Sequence, residues 1–170
     1  MLDTILKNGQ IFDGSGKTPI TADLGIKDNI ISEIGKIDSD KGKEVIDING
    51  LAVSPGFVDM HTHSDFTLMV NGRAESQVHQ GVTTEVVGQC GISCAPANND
   101  KDIKQMAIGY CENSHKLGWR SFKEYLASLE KNKLGVNVAA FVGHGAVHNN
   151  VLGNELRAPD HNEIIKMCKI

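Results

Sequence analysis

Three short apolar runs, residues 57–60, 82–87 and 136–142, alternate with stretches of helical pattern, and this alternation limits the fold more than anything else in the chain. Residues 74–80 read as a short helix stopped by Gly81, and residues 102–110 as another. Ser121 begins the clearest helix. Ser121 and Glu124 fit a capping box, in which each side chain satisfies the other's free backbone N–H. Phe122, Tyr125, Leu126 and Leu129 then fall on one apolar face at i, i+3, i+4 and i+7. Pro159 opens a last helical stretch in which Ile164, Ile165 and Cys168 share a face. Strand followed by helix, three times over, implies parallel strands joined by crossover helices. Three strands do not close a barrel, which takes roughly 250 residues, so the chain reads as truncated.

Residues 1–54 have a different texture. Short alternating strands are separated by tight turns, as in a half-exposed antiparallel sheet. Asn8-Gly9, between residues 4–7 and 10–13, is a strong hairpin signal, because both positions tolerate positive φ. Asp28-Asn29 separates residues 23–27 from 30–34 in the same way. Residues 44–48 then run into Asn49-Gly50.

Composition bounds the partners. Of 170 residues, 40% are apolar, enough to bury a core, and the formal net charge is 17 − 21 = −4. Mild acidity gives no footing for nucleic acid or an anionic membrane. No apolar run is long enough to span a bilayer, and Asp3 stands where a basic signal-peptide start would be. The expected setting is the cytoplasm. Four cysteines, Cys90, Cys94, Cys111 and Cys168, are too few for a disulfide scaffold at this length and read as thiols, or as one thiolate on a metal.

The chemistry concentrates at the ends of the apolar runs. In "SPGFVDMHTHSD", His61 and His63 follow a run expected to be a buried strand. Residues i and i+2 of a strand point the same way, so two imidazoles there can share one metal ion, with Thr62 on the opposite face. Active sites of parallel α/β folds lie at the strands' C-terminal ends. Cys90 follows the second run in "VVGQCGISCAP". Its thiolate suits zinc, although a free cysteine is more often a small core residue. Cys94 is the rival ligand through C-x3-C; Cys111 and Cys168 read as helix residues without chemistry. Two roles are open to His144, between Gly143 and Gly145: touching substrate or capping a loop. Asp65 is placed to orient a histidine ligand from behind, and Asp59 reads as structural. His79, His115, His148 and His161 read as solvated.

These residues resemble a known family. "PGFVDMHTHSD", residues 55–65, resembles the first-strand motif of the amidohydrolase superfamily of metal-dependent hydrolases. "ILKNGQIFDGSG" and "VIDINGLAVSPG" resemble the small β-sandwich that opens many of those enzymes. "GVTTEVVGQCGISCAP", residues 81–96, is similar to the second-strand region of N-acyl-D-amino-acid deacylases, the D-aminoacylase family, and "NVAAFVGHGAV" and "VLG" to its third. The resemblance implies an α/β fold: the N-terminal part of a (β/α)8 TIM barrel, about three βα units over residues 55–170, preceded by a small β-sandwich segment over residues 1–54. It implies zinc, one ion or two, on His61, His63 and Cys90, and hydrolysis of a small N-acyl amino acid. Two further histidine ligands and the general acid/base aspartate would lie beyond Ile170, with the rest of the barrel, leaving this chain inactive alone. His148 departs from the family pattern, which has arginine there. The rivals are another amidohydrolase activity on cyclic amides, such as that of a dihydropyrimidinase, and a non-catalytic fragment.

Overall fold

The computed structural model describes residues 1–109 and 117–170. Cys111 and His115 lie outside the described residues. The chain divides into two compact units, Met1–Pro55 and Gly56–Ile170.

The first unit is one five-stranded sheet: β1 (Leu2–Ile11), β2 (Ile20–Lys27), β3 (Ile30–Gly35), β4 (Gly42–Asp47) and β5 (Ala52–Val53). All five strands are hydrogen-bonded into this one sheet. The Asp28-Asn29 turn joins β2 and β3 with both residues at positive φ, 51° and 61°. That geometry matches the right-handed twist of a two-residue hairpin.

Asn8-Gly9 behaves differently from the sequence expectation. It makes no hairpin; β1 runs through it for ten residues. Leu6 pairs with Leu24 and Gly9 with Ala22, so Lys7 and Asn8 together oppose Asp23. Asn8, at φ 61°, is therefore the extra residue of a β-bulge. The positive φ that favours a hairpin turn serves a bulge equally well, and long-range pairing decides between them. With β1 uninterrupted, the sheet is mixed: β1 is antiparallel to β2 but parallel to β4 and β5.

Asp23 holds the bulge. Its carboxylate accepts from Lys7 Nζ at 2.6 Å, from the Asn8 backbone N–H at 2.9 Å and from the Ile37 N–H at 2.9 Å. Those donors, the Ile37 N–H foremost, pull its pKa down to about 2.

The second unit is an α/β arrangement. β6 (Phe57–Asp59), β7 (Val82–Val87) and β8 (Asn137–Ala140) form a parallel sheet in that order. Between and after them come α1 (Thr67–Val70), α2 (Glu75–Val78), α3 (Asp100–Ala107), α4 (Phe122–Lys131), α5 (His144–Leu152) and α6 (His161–Met167). The core gathers Phe66, Leu68, Val87, Ile103, Trp119 and Tyr125, all nearly inaccessible. α4 starts with the expected capping box, Ser121 and Glu124 each bonded to the other's backbone N–H. Tyr125 and Leu129 are buried on its inner face, whereas Leu126 is exposed. α6 begins after Asp160, which forms a second capping box with Glu163. Ile164, Ile165 and Cys168 of that stretch are exposed.

One expectation about β6 fails. Phe57, Val58 and Met60 are 57%, 52% and 64% exposed. β6 is the edge of a three-stranded sheet, so its apolar run has a hydrogen-bonded neighbour on one side only. The apolar character of residues 57–60 therefore does not bury this segment.

Removing the Asp23 carboxylate leaves the bulge donors without their acceptor. Asp23→Ala is expected to cost roughly 3 kcal/mol in urea denaturation. The folded-state pKa is depressed, so the contribution is complete above the ordinary carboxylate pKa of roughly 3.9. It falls away as pH drops through about 2. A wild-type chain and an Asp23→Asn variant that lose stability in parallel across that window would contradict this assignment.

Candidate metal centre

β6 and β7 end side by side because they are parallel, and both ligand-bearing loops leave from those ends. β6 stops at Asp59, so His61 and His63 lie beyond the strand rather than within it. The Thr62 N–H still donates to Val86 O at 3.3 Å, extending the ladder past the strand end. Asp59 Oδ1 accepts the His61 N–H at 3.1 Å, a structural role for that carboxylate. The two imidazoles meet edge to face, with ring centroids 5.5 Å apart.

Cys90 arrives from the other loop. Its Sγ lies 3.2 Å from His61 Nε2. One ligand atom each from His61, His63 and Cys90 lies within 4.8 Å of the others, and among the described residues this is the cluster suited to a metal ion. Donors on one tetrahedral zinc lie about 3.5 Å apart, given bond lengths of about 2.0–2.3 Å. The cluster is on that scale. One thiolate with two imidazoles is also a donor set that zinc accepts. The residues fit the ion.

The backbone of the Cys90 loop is bent to allow this. Gly88, Cys90 and Gly91 all have positive φ, 82°, 55° and 78°. A Cβ on Gly88 would run into the backbone carbonyl oxygen of Phe141, so glycine there permits the close approach of the loops after β7 and β8. Ser93, fully buried, fastens the same two loops. Its hydroxyl donates to Ala95 O at 2.6 Å and accepts the Gly143 N–H at 2.9 Å. Cys94 points the other way. It is buried in the hydrophobic core, and its carbonyl accepts Trp119 Nε1–H at 2.6 Å. The rival C-x3-C pairing is thus not assembled.

Asp65 is buried and ties the two loops together. Oδ1 accepts the Gly88 N–H at 2.9 Å, and the Asp65 carbonyl accepts the Tyr125 hydroxyl at 3.1 Å. Burial pushes its carboxyl pKa up. Glu85, in the middle of β7, is wholly inaccessible and likewise raised by burial. Sequence reading passed over it. The signal was available: one carboxylate inside the β-branched run of residues 82–87.

His144 is exposed and is the first residue of α5, where the sequence pattern predicts a strand end. Gly145 packs on Gly91, and Ala146 N–H donates to Gly91 O at 3.3 Å, so the start of α5 adjoins the Cys90 loop. A cleft of about 490 Å³ opens there, lined by Gly91, Asp102, Met106, Gly145, His148 and Glu155 among others. His148, expected to be solvated, is half-buried and lines this cleft, while His144 is not among its lining residues. The His144 and His148 rings lie 6.3 Å apart. His79 and His161 are exposed.

The amidohydrolase family's sequence model matches residues 44–169. The chain belongs to the amidohydrolase family. It is 33% identical over 165 residues to a D-aminoacylase of Alcaligenes xylosoxydans xylosoxydans, covering 97% of this chain and 34% of that protein. An N-acyl-D-aspartate deacylase of the same organism is 33% identical over 156 residues, 92% of this chain and 31% of that one. Among solved structures, a D-aminoacylase superposes with a TM-score of 0.87 at 32% identity, over 98% of this chain and 35% of that chain. The N-acyl-D-glutamate deacylase of Bordetella bronchiseptica, solved with zinc and a phosphonate mimic of the tetrahedral intermediate, gives 0.83 at 30%, over 99% and 35%. The chain thus spans about a third of the length of these relatives. No helix among the described residues is long and apolar enough to cross a membrane.

Gly88→Ala tests how tightly the site's backbone is constrained. It combines an unfavourable φ with a collision against the Phe141 carbonyl, and is expected to cost roughly 2 kcal/mol or more in chemical denaturation. A loss below about 0.5 kcal/mol, the level of an ordinary surface change, would show that the two loops move apart freely.

Proposed function

We propose that these residues form part of a zinc-dependent hydrolase that deacylates N-acyl-D-amino acids, with His61, His63 and Cys90 as metal ligands. The convergence of those three donors at the ends of β6 and β7 carries the reading. The names of the relatives supply the substrate class: a D-aminoacylase and deacylases of N-acyl-D-aspartate and N-acyl-D-glutamate. One ion or two would be held there. Zinc at such a site supplies Lewis acidity, polarising a scissile carbonyl and acidifying a water.

The chain's own residues do the holding and orienting. Cys90 and His61 present their donors at contact distance. Asp65 fixes the backbone at Gly88, two residues before Cys90. The cleft between the Cys90 loop and α5, which His148 lines, is the proposed berth of the N-acyl amino acid; His144, the first residue of α5, is proposed as a separate substrate contact outside that lining. A ligand thiolate has to stay reduced, which supports the cytoplasm as the setting.

The chain spans about a third of its relatives' length. This reading therefore assigns the general acid/base aspartate, further ligands and the remaining strands of a (β/α)8 barrel to parts of such enzymes outside these 170 residues. The chain alone is expected to bind the metal and to turn over nothing.

The test has two arms. Titration with Zn²⁺ or Co²⁺ should show binding that His61→Ala or Cys90→Ala weakens by ~100-fold or more, beyond the effect of losing a ligand's supporting partner. Incubation of the 170-residue chain with N-acetyl-D-amino acids should release no free amine. Absence of metal binding overturns the ligand assignment; release of amine overturns the division of labour.

A further inference from the structure

A carboxylate in the middle of a buried strand needs a reason. Burying an ionisable group costs several kcal/mol unless it is partnered, and the neighbours Val86 and Val87 show that this strand readily carries apolar side chains. Glu85 Oε2 accepts a hydrogen bond from the Ser64 hydroxyl. Ser64 Oγ in turn lies 2.9 Å from Thr62 Oγ1. The Ser64 hydrogen points to Glu85, so Thr62 is the donor of that second bond. The chain Thr62 to Ser64 to Glu85 thus runs from between the two histidines into β7.

A second tie runs the opposite way. Asp65, on the histidine segment, accepts the Gly88 N–H of the cysteine segment. Gln89 adds a third, donating Nε2–H to Met60 O at 3.0 Å. Residues flanking Cys90 are thereby bonded to residues flanking His61 and His63, and the carboxylates involved are inaccessible to competing water.

We propose that Glu85 and Asp65 form a reciprocal clamp that sets the spacing of the two ligand-bearing loops. Glu85 reaches from β7 to hold the His61–His63 segment through Ser64 and Thr62. Asp65 reaches from that segment to hold the backbone leading into Cys90. Both are positioning residues, acting on the metal through the loops they fix. The proposal rests on the metal-binding reading of His61, His63 and Cys90, and its test separates the two.

Zinc affinity is measured for the 170-residue chain by competition with a chromophoric chelator. Backbone amide exchange is followed by NMR on the metal-free chain. Ser64→Ala and Thr62→Val are expected to weaken zinc binding by ~10-fold or more, the scale of losing a ligand's support. Ser64→Ala should also speed exchange at the Thr62 amide, whose own acceptor, Val86 O, it leaves untouched. Glu85→Gln keeps an acceptor for Ser64 and should stay within about 3-fold of wild type. Protection in α4 should be unaltered throughout, whereas a general packing defect would lower it too. Should Ser64→Ala fail to fold, Thr62→Val, at a half-buried position, decides. Ser64→Ala and Thr62→Val variants that bind zinc as wild type does, or a Ser64→Ala variant that leaves exchange at the Thr62 amide unchanged, overturn the clamp. A wild-type chain that binds no zinc removes the metal reading, and the exchange pattern then judges the clamp alone.

Discussion

Parallel pairing of β6, β7 and β8 is the constraint from which the site follows. Parallel strands all end at the same rim, so segments 29 residues apart, at His61 and Cys90, leave the sheet side by side. Proximity of strand ends alone is too coarse to bring a sulfur to 3.2 Å from an imidazole nitrogen. The remaining precision comes from side chains that cross between loops: Asp65 to Gly88, Gln89 to Met60, and Ser93 to Gly143. Each satisfies a backbone group that would otherwise be left without a partner, so site-building and polar satisfaction are one task.

Elements governed by local rules were legible in the sequence. The Asp28-Asn29 turn, the Ser121 and Glu124 capping box and the strand over residues 82–87 depend on neighbours a few positions away, and the structure shows all three. The donor types of His61, His63 and Cys90 are also written in the sequence, and the structure brings the three together, but their meeting depends on the long-range pairing of β6 with β7. Features governed by distant partners were not legible. Asn8-Gly9 has hairpin chemistry, but Asp23, 15 residues on, fixes it as a bulge. Residues 57–60 look like a buried strand, yet only one side of β6 is paired. α5 was missed because it starts at His144 and Gly145 without a side-chain cap, and local signals marked the segment as a strand end.

The two buried carboxylates illustrate the same division. Sequence places Asp65 two residues after His63 and suggests that it serves that ring. Its carboxylate also crosses to the Gly88 N–H, because the parallel pairing puts the other loop within reach. Glu85 draws no notice in a β-branched run, since its partner Ser64 is 21 residues away. Charge inside a strand was the available clue, and the cost of burying it is what makes the clue informative.

The handedness of the backbone at Cys90 limits which residues could stand there. An L-residue at φ 55° sits where β-carbons crowd the carbonyl, and asparagine, aspartate and glycine tolerate that best. A substitution here is therefore limited by conformation as well as by chemistry: valine, isoleucine and threonine would be strained at this φ whether or not an ion is present. With Gly88 and Gly91 close by and also left-handed, few side chains could replace the sulfur without a backbone cost.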